Sequence, residues 1–158
     1  MFEFIPESIV GALAAANINA VTKFPASKLD RTAAVVCVSL RSARVSASGC
    51  GNYIGLCTQN GAIKEMYGSK AELVISLDIY SPADPDSTEP GCAEYAGLVR
   101  EAIMSIQGLS ITEFEFGDVY YDTDGEMFRS NCTAKAKAFL VREMLDGELS
   151  AYGLGETV

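Results

Sequence analysis

Alternating apolar and polar side chains predict a strand at the centre of this chain. The alternation runs from residue 71 to residue 80. Its apolar members share one face of an extended backbone: Leu73, Ile75, Leu77 and Ile79. A period of two over this length is typical of a strand with one face on a hydrophobic core. Pro82 ends the strand because proline has no N–H to donate to a neighbour, and we expect this strand to be the centre of a sheet.

Helical spacing predicts two helices that cover this sheet. The first begins near Pro6, which suits the first turn because its missing N–H would have no partner there. Ile9 and Leu13 continue it at helical spacing. The second helix begins after Pro90 and should place one apolar stripe against the central strand. That stripe consists of Tyr95, Leu98, Val99, Ala102, Ile103 and Ile106.

Further strand signals lie on both sides of the central strand. Alternation and β-branched residues predict strands at 33–40 with an extension to 46, at 110–116, at 118–122 and at 127–141. Asp124-Gly125 is a typical hairpin turn before the last of these strands.

The segment 47–69 is rich in glycine and interrupts this pattern. It contains weak strand signals at 53–56 and 62–66. Asn60-Gly61 between them predicts a turn. We expect a long, partly mobile excursion, and its length favours a role in an interaction.

The order of these elements predicts an α+β fold. We expect a mixed or antiparallel sheet of about four to six strands with two helices packed on one face, in the order α-β-β-β-α-β-β. At 158 residues the chain is long enough for one domain with its own core. We place that domain at 1–146, including the excursion at 47–69, and predict a loose C-terminal tail at 147–158.

The net charge of −9 is unevenly distributed along the chain. Residues 1–70 carry seven Lys and Arg against four Asp and Glu, a net charge of +3. Residues 71–158 carry five against seventeen, a net charge of −12. A solvated acidic surface accounts for this split as well as a polar module does, in which the positive part of one subunit meets the negative part of the next.

Several functional classes are disfavoured by composition. The chain has five cysteines at spacings without a Cys-x-x-Cys pair and no histidine, so we expect no zinc site, no disulfide framework and no Cys–His catalysis. No P-loop, dinucleotide fingerprint or nucleophile elbow occurs. We therefore expect a protein that is not an enzyme, with no catalytic residues, cofactor or metal.

Carboxylates at short spacing are the remaining candidates for chemistry. They occur at Asp84/Asp86, at Glu113/Glu115 and at Asp122/Asp124/Glu126. Such pairs serve glycoside hydrolysis or calcium binding in other proteins. Here they fall on the outer face of a strand or in loops, which favours a solvated surface, and 122–126 lacks the full spacing of a calcium loop.

No apolar run reaches the roughly 20 residues that a membrane span needs. The acidic N-terminus lacks the basic start of a signal peptide. The acidic balance disfavours stable nucleic-acid binding, which needs a basic surface. We expect a cytoplasmic protein, or one assembled there into a larger particle, without membrane contact.

Four segments carry a family resemblance. They are ISLDIYSP at 75–82, GCAE at 91–94, GDVYYD at 117–122 and MFR at 127–129. In this order, within residues 1–141, they resemble tail terminator and minor tail proteins of long-tailed bacteriophages and prophages. The resemblance implies a small α+β structural subunit that forms a homo-hexameric ring. Such a ring caps the tail tube in the virion and joins it to the head connector.

The resemblance gives the uneven charge a meaning. Basic residues could contact acidic partners on the next subunit: Lys23, Lys28, Arg31, Arg41 and Arg44. Acidic residues could face a partner or the channel through which DNA passes: Asp84, Asp86, Glu89, Asp122, Asp124 and Glu126. Carboxylates in the channel would repel phosphate and let DNA slide.

Two alternatives stay open at this point. One is a different phage joint, such as a head–tail connector or a tail tube subunit. The other is an enzymatic or small-molecule-binding α+β domain that uses the loop of Asp84 and Asp86. A deep pocket with converging polar groups would favour the second alternative.

Overall fold

A computed structural model describes residues 2–22, 32–145 and 148–154 of the chain. These residues form two helices and a mixed eight-stranded sheet. In chain order the elements are α1 (Phe4–Ala15), β1 (Ala20–Val21), β2 (Val35–Ala47), β3 (Tyr53–Gln59), β4 (Ala62–Pro82), α2 (Cys92–Met104), β5 (Leu109–Glu115), β6 (Val119–Asp122), β7 (Met127–Leu145) and β8 (Glu148–Leu154). The predicted α+β class is confirmed, although the sheet has more strands than expected.

The predicted central strand lies in the second half of β4. It pairs antiparallel with β2 on one side and with β7 on the other. Pairing with β7 continues without a register shift from Tyr67, opposite Arg142, to Pro82, opposite Met127. Its 21 residues span roughly 70 Å, which makes β4 unusually long.

Shorter strands line both sides of this pair. β2 and β3 follow each other along one side of β4, and β1 adds a short parallel pair outside β2. β6, β5 and β8 lie in turn along the outer side of β7. Every neighbouring pair except β1 with β2 is antiparallel.

Both helices pack on one face of the sheet, as the sequence predicts. On β4 that face carries the four alternating residues, which are at most 2% exposed: Leu73, Ile75, Leu77 and Ile79. α1 contributes Ile5, Ile9 and Leu13 to the same cluster. Small residues of β7 complete the floor beneath the helices: Cys132, Ala134, Ala136 and Ala138.

One residue of the predicted helical stripe lies outside the core. Leu98 is 45% exposed, whereas its neighbour Val99 is fully buried. The buried residues of α2 are Cys92, Tyr95, Ala96, Val99, Ala102 and Ile103. A helix turns by about 100° per residue, so a stripe centred on Ala96, Val99 and Ile103 rotates Leu98 towards solvent. The expected packing of Leu98 on β4 is therefore wrong.

The glycine-rich segment forms an ordered hairpin. β2 continues through a single 3-10 turn at Cys50–Asn52 into β3. Asn60 and Gly61 then turn the chain with positive φ at both residues (51° and 76°), as a two-residue hairpin turn requires. The two weak strand signals belong to β3 and to the first part of β4.

Part of the segment expected to be a loose tail is a strand, and residues 147 and 155–158 of that segment lie outside the described residues. The backbone of 148–154 forms β8 and pairs with the end of β7. Backbone pairing with β7 holds this strand in the sheet. We call the end of the sheet formed by β3, β8 and the adjoining ends of β4 and β7 the arm.

Two glycines allow the backbone to approach β7 closely. A Cβ atom at Gly68 would clash with the carbonyl oxygen of Leu140, and one at Gly117 with that of Asn131. Gly117 joins β5 to β6 along β7, and its own carbonyl accepts a hydrogen bond from the Ser130 hydroxyl at 2.9 Å. Gly117 is therefore a point of close contact between two backbones.

Leu77→Ala tests the core. Because Leu77 is fully buried beneath the helices, the substitution should lower the free energy of unfolding by about 2–5 kcal/mol. Leu98→Ala makes the same chemical change at an exposed site and should cost about 0.5 kcal/mol or less. Urea unfolding followed by circular dichroism measures both. Similar losses for the two variants would contradict the packing described here.

Candidate functional site

The structure brings two acidic segments to one end of the sheet. Pro82 ends β4 directly opposite Met127, the first residue of β7. The loop after β4 and the turn before β7 therefore leave the sheet together. They carry all six acidic residues singled out from the sequence: Asp84, Asp86, Glu89, Asp122, Asp124 and Glu126. We call this region the acidic end.

Three of these carboxylates also shape the acidic end. Asp84 Oδ1 accepts a hydrogen bond from the Asp86 N–H at 2.9 Å, and Asp122 Oδ1 accepts one from the Asp124 N–H at 3.1 Å. Both are turns closed by a side chain, which is a common use of aspartate in loops. Glu89 Oε2 accepts from the Ala34 N–H at 3.4 Å and so links the loop to the start of β2.

Arg129 connects the acidic end to the centre of the sheet. One guanidinium nitrogen lies 3.3 Å from Asp78 Oδ2 and the other 3.9 Å from Asp122 Oδ2. The guanidinium also lies over the ring of Tyr80, 5.1 Å from its centroid. The Arg129 side chain is only 29% exposed, so water weakens these interactions less than it would on an open surface. Sequence reasoning gave Arg129 no role in the site, because its partners depend on the register of β4 with β7.

Two groups beside Arg129, the Tyr80 hydroxyl and the Cys37 thiol, stay protonated at neutral pH because their pKa values are raised. Burial raises the pKa of Tyr80 to about 12, although the nearby Arg129 charge acts in the opposite direction. Burial, and then the Asp78 charge, raises the pKa of the neighbouring Cys37 thiol. A thiol that stays protonated is a weak nucleophile. The cluster therefore has the chemistry of a structural connection.

Those candidate basic residues that belong to the described part of the chain do not lie at the acidic end. Lys23, Lys28 and Arg31 lie outside the described residues. Arg41 and Arg44 are exposed on β2. Arg44 is opposite Glu72, ten residues along β4 from Pro82, which corresponds to roughly 33 Å. Arg44 therefore lies far along the sheet from the acidic end.

Lys70 and Lys137 extend the positive region. Arg44, Glu72 and Lys137 lie side by side on three neighbouring strands, on the face away from the helices. Lys70 lies on that face, two residues further along β4. Three cations surround one carboxylate here, so the region is basic although it contains Glu72.

Exposed apolar residues form a first surface beside the acidic end. Val119, Tyr121 and Phe128 on β6 and β7 are between 41% and 49% exposed. The Tyr121 and Phe128 rings meet edge to face with centroids 5.9 Å apart. We call these three residues the hairpin patch.

A second exposed apolar surface lies on the arm and the neighbouring end of β2. Val45, Tyr53 and Leu56 are between 41% and 46% exposed. Tyr53 meets the half-buried Tyr67 edge to face, with ring centroids 5.7 Å apart. We call these four residues the arm patch. Clustered exposed apolar residues of this kind mark surfaces that bind other proteins.

Two grooves among the described residues do not involve the predicted acidic loop. The larger, of about 700 Å³, lies between the end of α2 and the sheet, next to Met104, Leu109 and Phe139. A second, of about 570 Å³, lies between α1 and β2, next to Phe2, Pro6 and Leu40. Asp84 and Asp86 line neither groove, so the small-molecule alternative gains no support from them.

None of the described Cys, Asp and Glu side chains form a group of three or more that could hold a metal ion. In the same part of the chain no helix has the length and apolar character needed to cross a membrane.

Comparison with known proteins adds no family assignment. No protein-family model matches the chain, and a search of curated proteins finds no significant match. The resemblance to tail terminators therefore rests on the four segments of the sequence.

Arg129→Ala tests the connection at the acidic end. It removes the contacts with Asp78, Asp122 and Tyr80 and should lower the free energy of unfolding by about 1–2 kcal/mol. Lys135→Ala is a matched control because Lys135 pairs with Glu113 at 3.2 Å with both side chains more than half exposed. Such a pair contributes about 0–1 kcal/mol. Equal losses in urea unfolding would show that Arg129 is an ordinary surface residue.

Tyr80 predicts a dependence of stability on alkaline pH. In the unfolded chain its pKa is near 10, and in the folded protein it is about 12. The unfolded chain loses this proton first, so the stability from Tyr80 is complete below about pH 10 and is lost as the pH rises to about 12. Tyr80→Phe should flatten this part of the profile in urea titrations at a series of pH values. Parallel profiles for variant and wild type would exclude Tyr80 as the source.

Proposed function

We propose that this protein is a structural subunit of a long-tailed bacteriophage or prophage. In this proposal it is the tail terminator, which forms a homo-hexameric ring, caps the finished tail tube and joins it to the head connector. The observation that carries the proposal is the separation of surfaces along one long sheet. Acidic residues and an apolar patch lie at one end, and basic residues and a second apolar patch lie towards the other.

Such a separation suits a ring subunit. Closed rings are built from heterologous contacts, in which two different surfaces of each subunit meet. A subunit with one surface of each kind at opposite ends can repeat the same contact around a ring. Exposed ion pairs are weak, about 0–1 kcal/mol each, so the apolar patches have to supply most of the affinity.

The net charge suits the passage of DNA through such a ring. Each subunit carries −9, so pairing its basic residues with acidic partners still leaves an excess of carboxylates. Carboxylates that line the channel would repel phosphate. DNA would then pass without being retained, and stable nucleic-acid binding is not part of this function.

The four sequence segments that resemble tail terminators favour this joint over others. A head–tail connector or a tail tube subunit could use the same pair of surfaces. These joints differ in where they lie in the particle, so the position of the bound protein separates them.

The experiment is binding to purified tail tubes of the phage or prophage that encodes the chain. Bound protein should appear in electron micrographs as a cap at one end of the tube. Self-association, followed by sedimentation, should weaken as salt rises to physiological strength, because the Debye length falls to about 8 Å at 0.15 M. Decoration along the tube would instead indicate a tube subunit. A chain that stays monomeric at every salt concentration and binds no tube would contradict the proposal.

A further inference from the structure

Two strands beside the central pair of the sheet have a free edge. Within the described residues, β5 pairs only with β7, so the other side of Leu109–Glu115 is free. β2 pairs with β4 on one side and with β1 on the other, but β1 reaches only Val36 and Cys37. In the same part of the chain the outer side of β2 is therefore free beyond Cys37. Free edges present N–H and C=O groups that can pair with another chain.

Each free edge contains a bulge that limits how much of it can pair. The register with the neighbouring strand shifts at Arg41 on β2 and at Thr112 on β5. A bulge bends an edge strand and opposes continuous pairing along it. Regular pairing with the sheet resumes at Ser42–Ala47 and at Glu113–Glu115. A contact between these two stretches would be short, so it requires side chains that match.

Opposite charges of the two stretches lie on the same face of the sheet. Arg44 is opposite Glu72 on β4, whose partner on β7 is Lys137. Glu115 is opposite Thr133, which alternates in phase with Lys137 along β7. Arg44 and Glu115 therefore both lie on the face away from the helices.

Neither of these two charges is paired within the molecule. Among the described residues neither Arg44 nor Glu115 has an ion-pair partner, and both are exposed. Glu113 differs, because it pairs with Lys135 of its own sheet at 3.2 Å. β2 contains no acidic residue and β5 no basic residue. Each edge strand thus carries charge of one sign only.

The other face of both stretches is apolar. Ala43 and Val45 lie on the helix side of β2, since Ala43 is opposite the buried Leu73. Phe114 lies on the helix side of β5, opposite the buried Ala134. Val45 is 43% exposed, so the apolar surface of β2 reaches its edge uncovered. Side by side, the two edges match apolar with apolar on one face and basic with acidic on the other.

We infer that the free edge of β2 in one copy pairs with the free edge of β5 in a second copy. The inference rests on the proposed function as a ring subunit and adds pairing between strands to its contact. Within one molecule β5 is antiparallel to β2, because three successive antiparallel pairs connect them. A second copy placed beside the first in the same orientation therefore continues the sheet with antiparallel pairing and keeps all helices on one face. The contact is heterologous, since each copy has one edge of each kind.

Charge favours this pairing over the two symmetric ones. A contact between two β2 edges would bring the Arg44 side chains of both copies together. A contact between two β5 edges would bring their Glu113 and Glu115 side chains together. Like charges opposite each other across two strands are destabilising, whereas opposite charges stabilise the pair. Only the contact between β2 and β5 places opposite charges together.

Charge reversal tests this contact. Arg44→Glu and Glu115→Lys each place like charges across it, so each variant alone should show a dissociation constant for self-association at least about fivefold above wild type. An equal mixture of the two variants should assemble as wild type does. In the mixture the two reversed charges face each other at one contact, and the native Arg44 faces the native Glu115 at the next. Both substitutions in one chain should restore assembly for the same reason.

Sedimentation velocity at low salt and millimolar protein measures the assembly. Glu101→Lys is the control, because Glu101 is exposed on α2 and belongs to neither edge. It makes the same change of charge as Glu115→Lys and should assemble as wild type does. Recovery in the mixture also demonstrates that both variants are folded, and circular dichroism checks each alone.

Three results would overturn the inference. They are a monomeric wild type under these conditions, a single variant that assembles as wild type does, and a mixture of variants that does not recover. A monomeric wild type that still caps tail tubes would overturn this contact and leave the proposed function intact. Wild type that assembles through these edges and binds no tube would support the contact and contradict the tail-terminator proposal.

Discussion

The continuous pairing of β4 with β7 is the constraint on which the rest of the structure depends. Because side chains alternate along both strands, this one register decides which residues face the helices and which face away. It places the apolar residues of β4 beside the small residues of β7 on one face of the sheet. On the other face it brings Arg129 beside Asp78. A slip of one residue would bury the charges and expose the core.

The unequal length of strands and helices explains where the exposed surfaces lie. β4 has 21 residues and spans roughly 70 Å, whereas α2 has 13 residues and spans roughly 20 Å. The helices therefore cover only the middle of their face. Beyond them the same face of the sheet continues, and exposed apolar residues on several of its strands form the hairpin patch and the arm patch. The surfaces available for assembly follow from an extended sheet beneath a short helical layer.

Local patterns were sufficient to predict the elements that make the core. The alternation at 71–80 and the turn at Asn60-Gly61 each have a physical cause within a few residues. Leu98 was misplaced because its spacing fits a helical stripe as well as that of Val99 does, and only packing against the sheet decides between them. β1 has two residues and β8 no period in its side chains, so neither has a local signal that predicts it.

The candidate surfaces depended on contacts between distant parts of the chain. The acidic residues were visible in the sequence as two separate groups, and their convergence follows from the pairing of Pro82 with Met127. The role of Arg129 depends on the same register. The apolar patches could not be predicted from the sequence, because tyrosines such as Tyr53 and Tyr121 are typical of strands that are partly buried. Only the extent of the helices shows that these two side chains are uncovered.

Electron cryomicroscopy of the assembled protein tests the central claim most directly. The claim is that subunits join head to tail through two different surfaces of the long sheet. A reconstruction that resolves strands should show a closed ring in which one surface of each sheet contacts a different surface of the next. Subunits related by two-fold axes, or a ring whose contacts leave the sheet in solvent, would contradict the account.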